Sequence, residues 1–274
     1  MTRIFIFITY LLFSVSSFSQ TKISYSKEKL KGSYKWLDRY VVIDNDTMYG
    51  YNSSLSQNEI KYFCDNLNDK KILRLYKDVV YNNLDCGKYE HVNSKQWASE
   101  IIVYFDKSIP KKIQKDFKKF FSTIKVENLK INFTRNKEKS NYLIKTTEDI
   151  IPDLETIKEK GEAHPYNLVT YNFMGDNNSK FYSGILRINT KLIKDKSLIL
   201  SKLKQMFFVG LGQFTFDKDV KENSLLSYKY NNSEVLSNED AALLNLHYLK
   251  IQDTPLNCHF FSTFIKDLQS KCKL

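Results

Sequence analysis

From residue 98 onward, apolar and polar positions fall into two alternating periods. Ile101-Ile102-Val103-Tyr104-Phe105 is a short continuous apolar run, the pattern of a buried strand. Pro110 then opens a stretch in which Ile113, Phe117, Phe120, Phe121 and Ile124 share one helical face. Leu129, Ile131 and Phe133 alternate with polar residues, and Asn141 to Thr147 reads as a further strand. Residues 148–178 hold Pro152, Gly161, Pro165 and Gly175 and read as a long irregular stretch. Alternation returns from Phe181 to Asn189, with Gly184, Leu186 and Ile188 on one face and Ile185 and Arg187 on the other. Residues 197–210 are apolar nearly all round, which predicts a helix inside the core. Ser237, followed three residues on by Asp240, forms a capping box that leads into a last helix over Ala241 to Lys250.

The order is strand, helix, strand, strand, edge strand, helix, loop, helix. It predicts an α+β fold, a mixed sheet with a central core helix and a C-terminal helix. Residues 20–97 carry mixed signals. A capping box at Ser56 to Glu59 predicts a helix over about Gln57 to Leu67, and Gly50, Asn52 and Asn82-Asn83 mark turns. This portion is either a separate domain or integral to the domain formed by 98–274.

The first 19 residues change the picture of where the chain works. Arg3 precedes the apolar run Ile4 to Phe13, and Ser17 and Ser19 place small residues before Gln20. That order predicts a secretory signal peptide over 1–19 and a secreted or periplasmic product. The run is shorter than the ~20 apolar residues of a membrane span, and no Cys follows the cleavage site to carry a lipid. The chain is therefore not expected to be an integral membrane protein. Removing 19 of 274 residues leaves 255, enough for a full core at 42% hydrophobic and 14% aromatic content.

Net charge is +11, and Arg3 is the only charged residue in 1–19, so +10 remains after cleavage. The lysines are spread from Lys22 to Lys273 with only short doublets, the mark of a solvated basic surface. No nucleic-acid-binding motif accompanies them, and nucleic acid is not the expected partner. Cys64, Cys86, Cys258 and Cys272 are an even set in an exported chain, which predicts disulfides. Three connectivities are open, and the sequence-local pairing, Cys64 with Cys86 and Cys258 with Cys272, is preferred. No Cys-x-x-Cys pair points to zinc.

Three stretches carry a resemblance to the zincins, in particular the metzincin branch that includes the matrixins. Gln205-Met206-Phe207-Phe208-Val209-Gly210-Leu211-Gly212-Gln213-Phe214-Thr215 lies on the pattern H-E-x-x-H-x-x-G-x-x-H with Gly212 on the family glycine. Ser224-Leu225-Leu226-Ser227-Tyr228-Lys229-Tyr230 is similar to the family's Ser-Ile-Met-Tyr-Pro-x-Tyr turn beneath the metal. Leu236 to Tyr248 looks like the helix that closes such domains. A bacterial family of unknown function with the motif Glu-Glu-x-x-Gln-x-Leu-Gly-Leu is also similar, through Leu211-Gly212.

The resemblance implies that Phe181 to Asn189 is the edge strand that lays out an extended substrate. The candidate cleft then comprises Tyr182, Gly184, Ile185, Arg187 and His164. The zinc chemistry is missing from the motif. Two His at i and i+4 hold the metal and the intervening Glu activates water, whereas Gln205, Val209 and Thr215 stand at the ligand positions here. Met206 stands at the Glu position and Leu226 at the Met-turn position. Val has no ligand atom, and Gln and Thr are poor zinc ligands beside imidazole.

The expectation is a secreted, non-catalytic zincin-like protein with no metal or cofactor. It would bind a peptide, glycan or envelope protein through the former cleft. Two alternatives remain beside it: an enzyme of another class using Glu159, Glu162 and His164, or a structural protein of the cell envelope. His91, His164, His247 and His259 form no i,i+3 or i,i+4 pair, and no phosphate loop or nucleophile elbow is present. Most of the 18 Tyr and 19 Phe are expected in the core, with Tyr166, Tyr171, Phe173, Phe181 and Tyr182 the densest group near the cleft.

Overall fold

The structure is a computed structural model. It describes residues 22–23, 40–43, 46–49, 51–52, 55–82, 92–97, 99–148, 168–190, 193, 195, 198–252 and 255–272. The predicted signal peptide, Asn83, Cys86, His91, Glu159, Glu162, His164 and Tyr166 lie outside the described residues. The chain divides into two compact units, Met1–Ser56 and Gln57–Leu274. In the first, β1 (Lys22–Ile23) pairs antiparallel with β4 (Tyr51–Asn52), and β2 (Tyr40–Ile43) with β3 (Asp46–Tyr49).

The second unit is α+β. Its six-stranded mixed sheet holds β5 (Gln96–Trp97), β6 (Ile101–Phe105), β7 (Ile131–Thr134), β8 (Tyr142–Thr147), β9 (Val169–Gly175) and β10 (Lys180–Asn189). β7, β6, β8 and β10 lie side by side and parallel, β5 joins the start of β10 in parallel, and β9 runs antiparallel to β10. Gly184, Leu186 and Ile188 are buried while Ile185 and Arg187 are half-buried, as the alternation predicts.

The edge assignment needs correcting. β10 is paired on both sides, with β8 and with β9, and β9 is the edge strand. β9 lies inside the stretch read as irregular. Its own alternation of Val169, Tyr171 and Phe173 is short, and the surrounding Pro and Gly positions masked it.

Among the described residues, six helices complete the unit. α1 (Gln57–Tyr62) continues as a π-helical turn over Phe63–Leu67. α2 (Lys70–Tyr81) lies in the portion whose sequence signals are mixed, although its sequence holds both ends. Asp69 accepts hydrogen bonds from the N–H groups of Lys71 and Ile72, a cap that contributes about 1 kcal/mol, and Asn82 leaves in the left-handed region at φ 59°. α3 (Lys111–Phe121) follows Pro110 and buries Phe117, Phe120 and Phe121. α4 (Leu198–Gly212) is the predicted core helix, buried from Ser201 to Gly212. α5 (Asn238–His247) begins at the predicted cap, Ser237, and α6 (Cys258–Lys271) follows it.

α6 overturns the preferred disulfide pairing. A helix separates Cys258 from Cys272 by about 21 Å, far beyond the reach of a disulfide. Cys272 instead joins Cys64 in the π-helical turn, with Cα atoms 5.4 Å apart, and Cys258 is disulfide-bonded as well. The Cys64–Cys272 bridge closes a span of 208 residues. Among the described residues, no helix is long and apolar enough to cross a membrane.

The sheet meets α4 through two glycines. A Cβ on Gly210 would sit 2.5 Å from Phe173 Cζ and 3.0 Å from the Tyr142 hydroxyl, and one on Gly184 would sit 2.9 Å from Phe173 Cδ1. Phe173 fills the space that both glycines leave, with Trp97, Tyr171 and Phe181 rings around it. Helix propensity alone favours Gly210→Ala by about 1 kcal/mol. Because the Phe173 ring is hemmed in, we expect overpacking to dominate and Gly210→Ala to lose about 1–3 kcal/mol in urea unfolding. Among the described residues the buried Tyr142 hydroxyl has no hydrogen-bond partner, so Tyr142→Phe should leave stability unchanged or raise it in the same assay.

Candidate functional site

The C-terminal end of a helix exposes carbonyls that its own turns leave unpaired. In α4 these lie in the core, and other segments come in to satisfy them. Val209 O accepts from the Phe214 N–H at 3.1 Å after Gln213 turns through the left-handed region at φ 54°. Gly210 O accepts from Trp97 Nε1 at 3.0 Å, and Leu211 O accepts from the Tyr248 hydroxyl. That hydroxyl also accepts from the Trp97 backbone N–H at 3.2 Å. Gly212 has no room for a side chain, because a Cβ there would meet Phe214 Cζ at 2.5 Å and His247 Nε2 at 2.8 Å.

The motif positions take their places around this end. Gln205 is fully buried, and its amide donates to Ser227 O at 2.7 Å and Leu225 O at 3.2 Å while accepting from Lys202 Nζ at 3.3 Å. The helix is thus bolted to the 224–227 turn. Met206, Val209 and Leu226 are fully buried apolar contacts. Thr215 is drawn away to α2, where its N–H and hydroxyl both donate to Val79 O, at 2.8 and 3.1 Å. The three positions at which the resemblance would place ligands are thus an amide in use, a core valine and a tether to another helix.

Among the residues proposed for the cleft, Gly184 is buried beneath Phe173 and Tyr142, and Ile185 and Arg187 are half-buried within the sheet. Tyr182 is 55% exposed, at the β9 side of the sheet where Met174 is 56% exposed. Tyr182 and Met174 are large apolar side chains that this region exposes to solvent.

Two buried ionisable groups, Asp240 and His247, hydrogen-bond within the same junction. The Asp240 carboxylate accepts from the Ser224 hydroxyl at 2.6 Å and the Leu225 N–H at 2.8 Å, tying α5 to the turn. Its capping-box position was legible, but the carboxylate reaches across to the turn. Burial pushes its pKa up to about 6, opposed by those hydrogen bonds. His247 Nε2 lies 2.8 Å from Lys95 O and must donate to it, so Nδ1 accepts from the Tyr76 hydroxyl at 2.9 Å. Burial lowers this neutral imidazole to about 4. Gln96 completes the network with four bonds. Its amide donates to His247 O at 2.6 Å and Lys250 O at 3.0 Å, and its oxygen accepts from Lys180 Nζ at 2.8 Å and the Gln252 N–H at 3.0 Å.

Among the described residues, no three His, Cys, Asp or Glu side chains gather in a way that could hold a metal ion. Lys202 and Lys204 are buried in α4 and their pKa values are lowered, first by desolvation. Lys204 Nζ donates to Asn232 Oδ1 at 3.2 Å and Ser233 O at 2.9 Å and lies 4.4 Å from the Phe120 ring centroid. Fold and site together define an α+β protein whose central helix ends in a closed hydrogen-bonded junction. The chain matches no protein-family model and no curated protein.

Asp240 and His247 make opposite contributions to the pH dependence of stability. Folded Asp240 binds its proton near pH 6 and the unfolded chain near 3.8, so its contribution grows as pH falls from 7 towards 4. Folded His247 resists protonation down to about 4 while the unfolded chain protonates near 6.5, so its contribution is present above 6.5 and is lost on the way to 4. Each pH unit of separation between folded and unfolded pKa corresponds to about 1.4 kcal/mol. Urea unfolding at stepped pH should show Asp240→Asn losing stability on acidification more steeply than wild type. His247→Gln should lose it less steeply. Parallel curves for the two variants would contradict this assignment.

Proposed function

We propose that this chain is an exported, non-catalytic, zincin-like protein that holds a partner along the sheet edge where a peptidase would lay its substrate. The observation that carries the reading is the use of Gln205. At the first ligand position stands an amide whose N–H groups and oxygen are all engaged in joining the core helix to the following turn. Support comes also from the element order: among the described residues β9 is the antiparallel strand at the sheet edge, β10 and then the core helix follow it in chain order, and the turn is fixed beneath the helix by Asp240. The Cys64–Cys272 bridge supports an oxidising, extracytoplasmic compartment.

Among the described residues β9 pairs with β10 alone. Its outer N–H and C=O groups suit an extended peptide added as a further strand, with Met174 and Tyr182 as nearby apolar contacts. The partner on this reading is a peptide segment of an envelope or extracellular protein. The purified chain should carry no stoichiometric zinc by elemental analysis after exposure to the metal. It should leave a mixed peptide library intact with and without chelator. Bound zinc at one equivalent, or cleavage that a chelator abolishes, would overturn the proposal.

A further inference from the structure

The end of the sheet remote from β9 carries a groove of about 970 Å³, between the first turns of α3 and the carboxyl ends of β6 and β7. Five cations line it, Lys107, Lys111, Lys115, Lys118 and Arg135, and no carboxylate does. Among the described residues, ion pairs form elsewhere, at Lys61–Asp65, Lys71–Glu239, Arg74–Asp78 and Lys271–Asp267, and none engages these five. Lys118 is held in place by ring faces, its Nζ 5.6 Å from the Phe105 centroid and 5.8 Å from that of Phe133.

The helix beneath the groove is charged against its own dipole. A helix N-terminus favours acidic side chains, yet the first turn of α3 contains Lys111 and Lys112, no acidic residue, and Pro110 with no side-chain cap. By contrast, the Asp69 side chain caps α2, and Glu239 and Asp240 open α5. Five unpaired cations beside the positive end of a helix repel one another. An anion in the groove relieves that repulsion.

We propose that this groove binds a linear anionic glycan, a sugar polymer with a negative charge on its repeating unit. Lys111, Lys115 and Lys118 stand at i, i+4 and i+7 on one helix face, a row with steps of about 5–6 Å. Lys107 and Arg135 face the row from the strand ends. Such a row matches charges that repeat along a polymer better than a single small anion. Single-stranded nucleic acid is held by bases stacked on exposed rings as well as by cations, whereas Tyr104 is half-buried and Phe105 buried. A peptide would need an apolar pocket for an anchor side chain, and the groove's Phe105 and Ile109 are themselves buried. The inference does not depend on the zincin-like reading, because the groove lies at the opposite end of the sheet from β9.

The test is fluorescence anisotropy of a labelled galacturonate oligomer with the purified full chain, at low and at physiological salt. We expect saturable binding that weakens with salt and is not competed by neutral dextran. The double variant Lys111→Glu/Lys115→Glu should lose about tenfold or more in affinity. Lys221→Glu/Lys229→Glu, with the same change in net charge, should stay within about twofold of wild type. The groove variant should melt no lower than wild type, because Glu in the first turn suits the helix dipole, so loss of binding cannot be ascribed to unfolding. Absence of galacturonate binding, or equal loss in both double variants, would overturn the proposal. Tighter binding of polyglutamate or of an oligothymidylate strand, lost in the groove variant, would overturn its assignment to a glycan.

Discussion

The structure depends on satisfying three carbonyls inside the core. α4 is apolar enough to be buried along most of its length, and its last turn ends there rather than at the surface. Water is not at hand to pair Val209, Gly210 and Leu211, and a buried unpaired carbonyl costs on the order of 1–3 kcal/mol. Phe214, Trp97 and Tyr248 supply the missing donors, and each comes from a different part of the chain. Strand β5, the loop after α4 and the end of α5 are positioned by that need. The same demand explains the glycines: Gly210 admits Phe173 and Tyr142, and Gly212 admits Phe214 and His247.

The same requirement accounts for the buried, structural roles of Gln205, Met206, Val209 and Leu226. An imidazole at Gln205 or Val209 would need partners for both ring nitrogens in a place now filled by backbone carbonyls and apolar side chains. The amide of Gln205 suits that place because it can donate twice to the turn and still accept from Lys202. Asp240 anchors the same turn from the far side through Ser224 and Leu225. A carboxylate accepting two hydrogen bonds tolerates burial that would otherwise cost far more. The helix, the turn and α5 are therefore joined through buried hydrogen bonds, and the open features among the described residues lie on the surfaces of the sheet.

Those surfaces differ in kind. At one end of the sheet, β9 offers an open strand edge with exposed Met174 and Tyr182. At the other, cations without local counter-charge line a groove over a helix start. The net charge of +11 is thus not spread evenly, although the lysines look scattered along the chain. Helical periodicity gathers Lys111, Lys115 and Lys118 on one side, and strand pairing brings Arg135 opposite them.

The sequence by itself determined the elements whose signal is local. The apolar run at Ile101–Phe105, the alternation in β10, the all-round apolar α4 and the Ser237 cap each depend on residues within one or two turns of each other. Local periodicity is enough to bury one face or satisfy one helix end, so these elements were legible. Only the tertiary structure decided which strand is the edge, which cysteines meet, and what the motif residues do. β9 is an edge because of what pairs with β10, and Cys64 meets Cys272 because α6 sends Cys258 and Cys272 to opposite ends of one helix. His247, Gln96 and Asp240 gain their roles from partners between 15 and 171 residues away. No local pattern encodes such a distance, because burial and hydrogen-bond satisfaction are properties of the whole packed core.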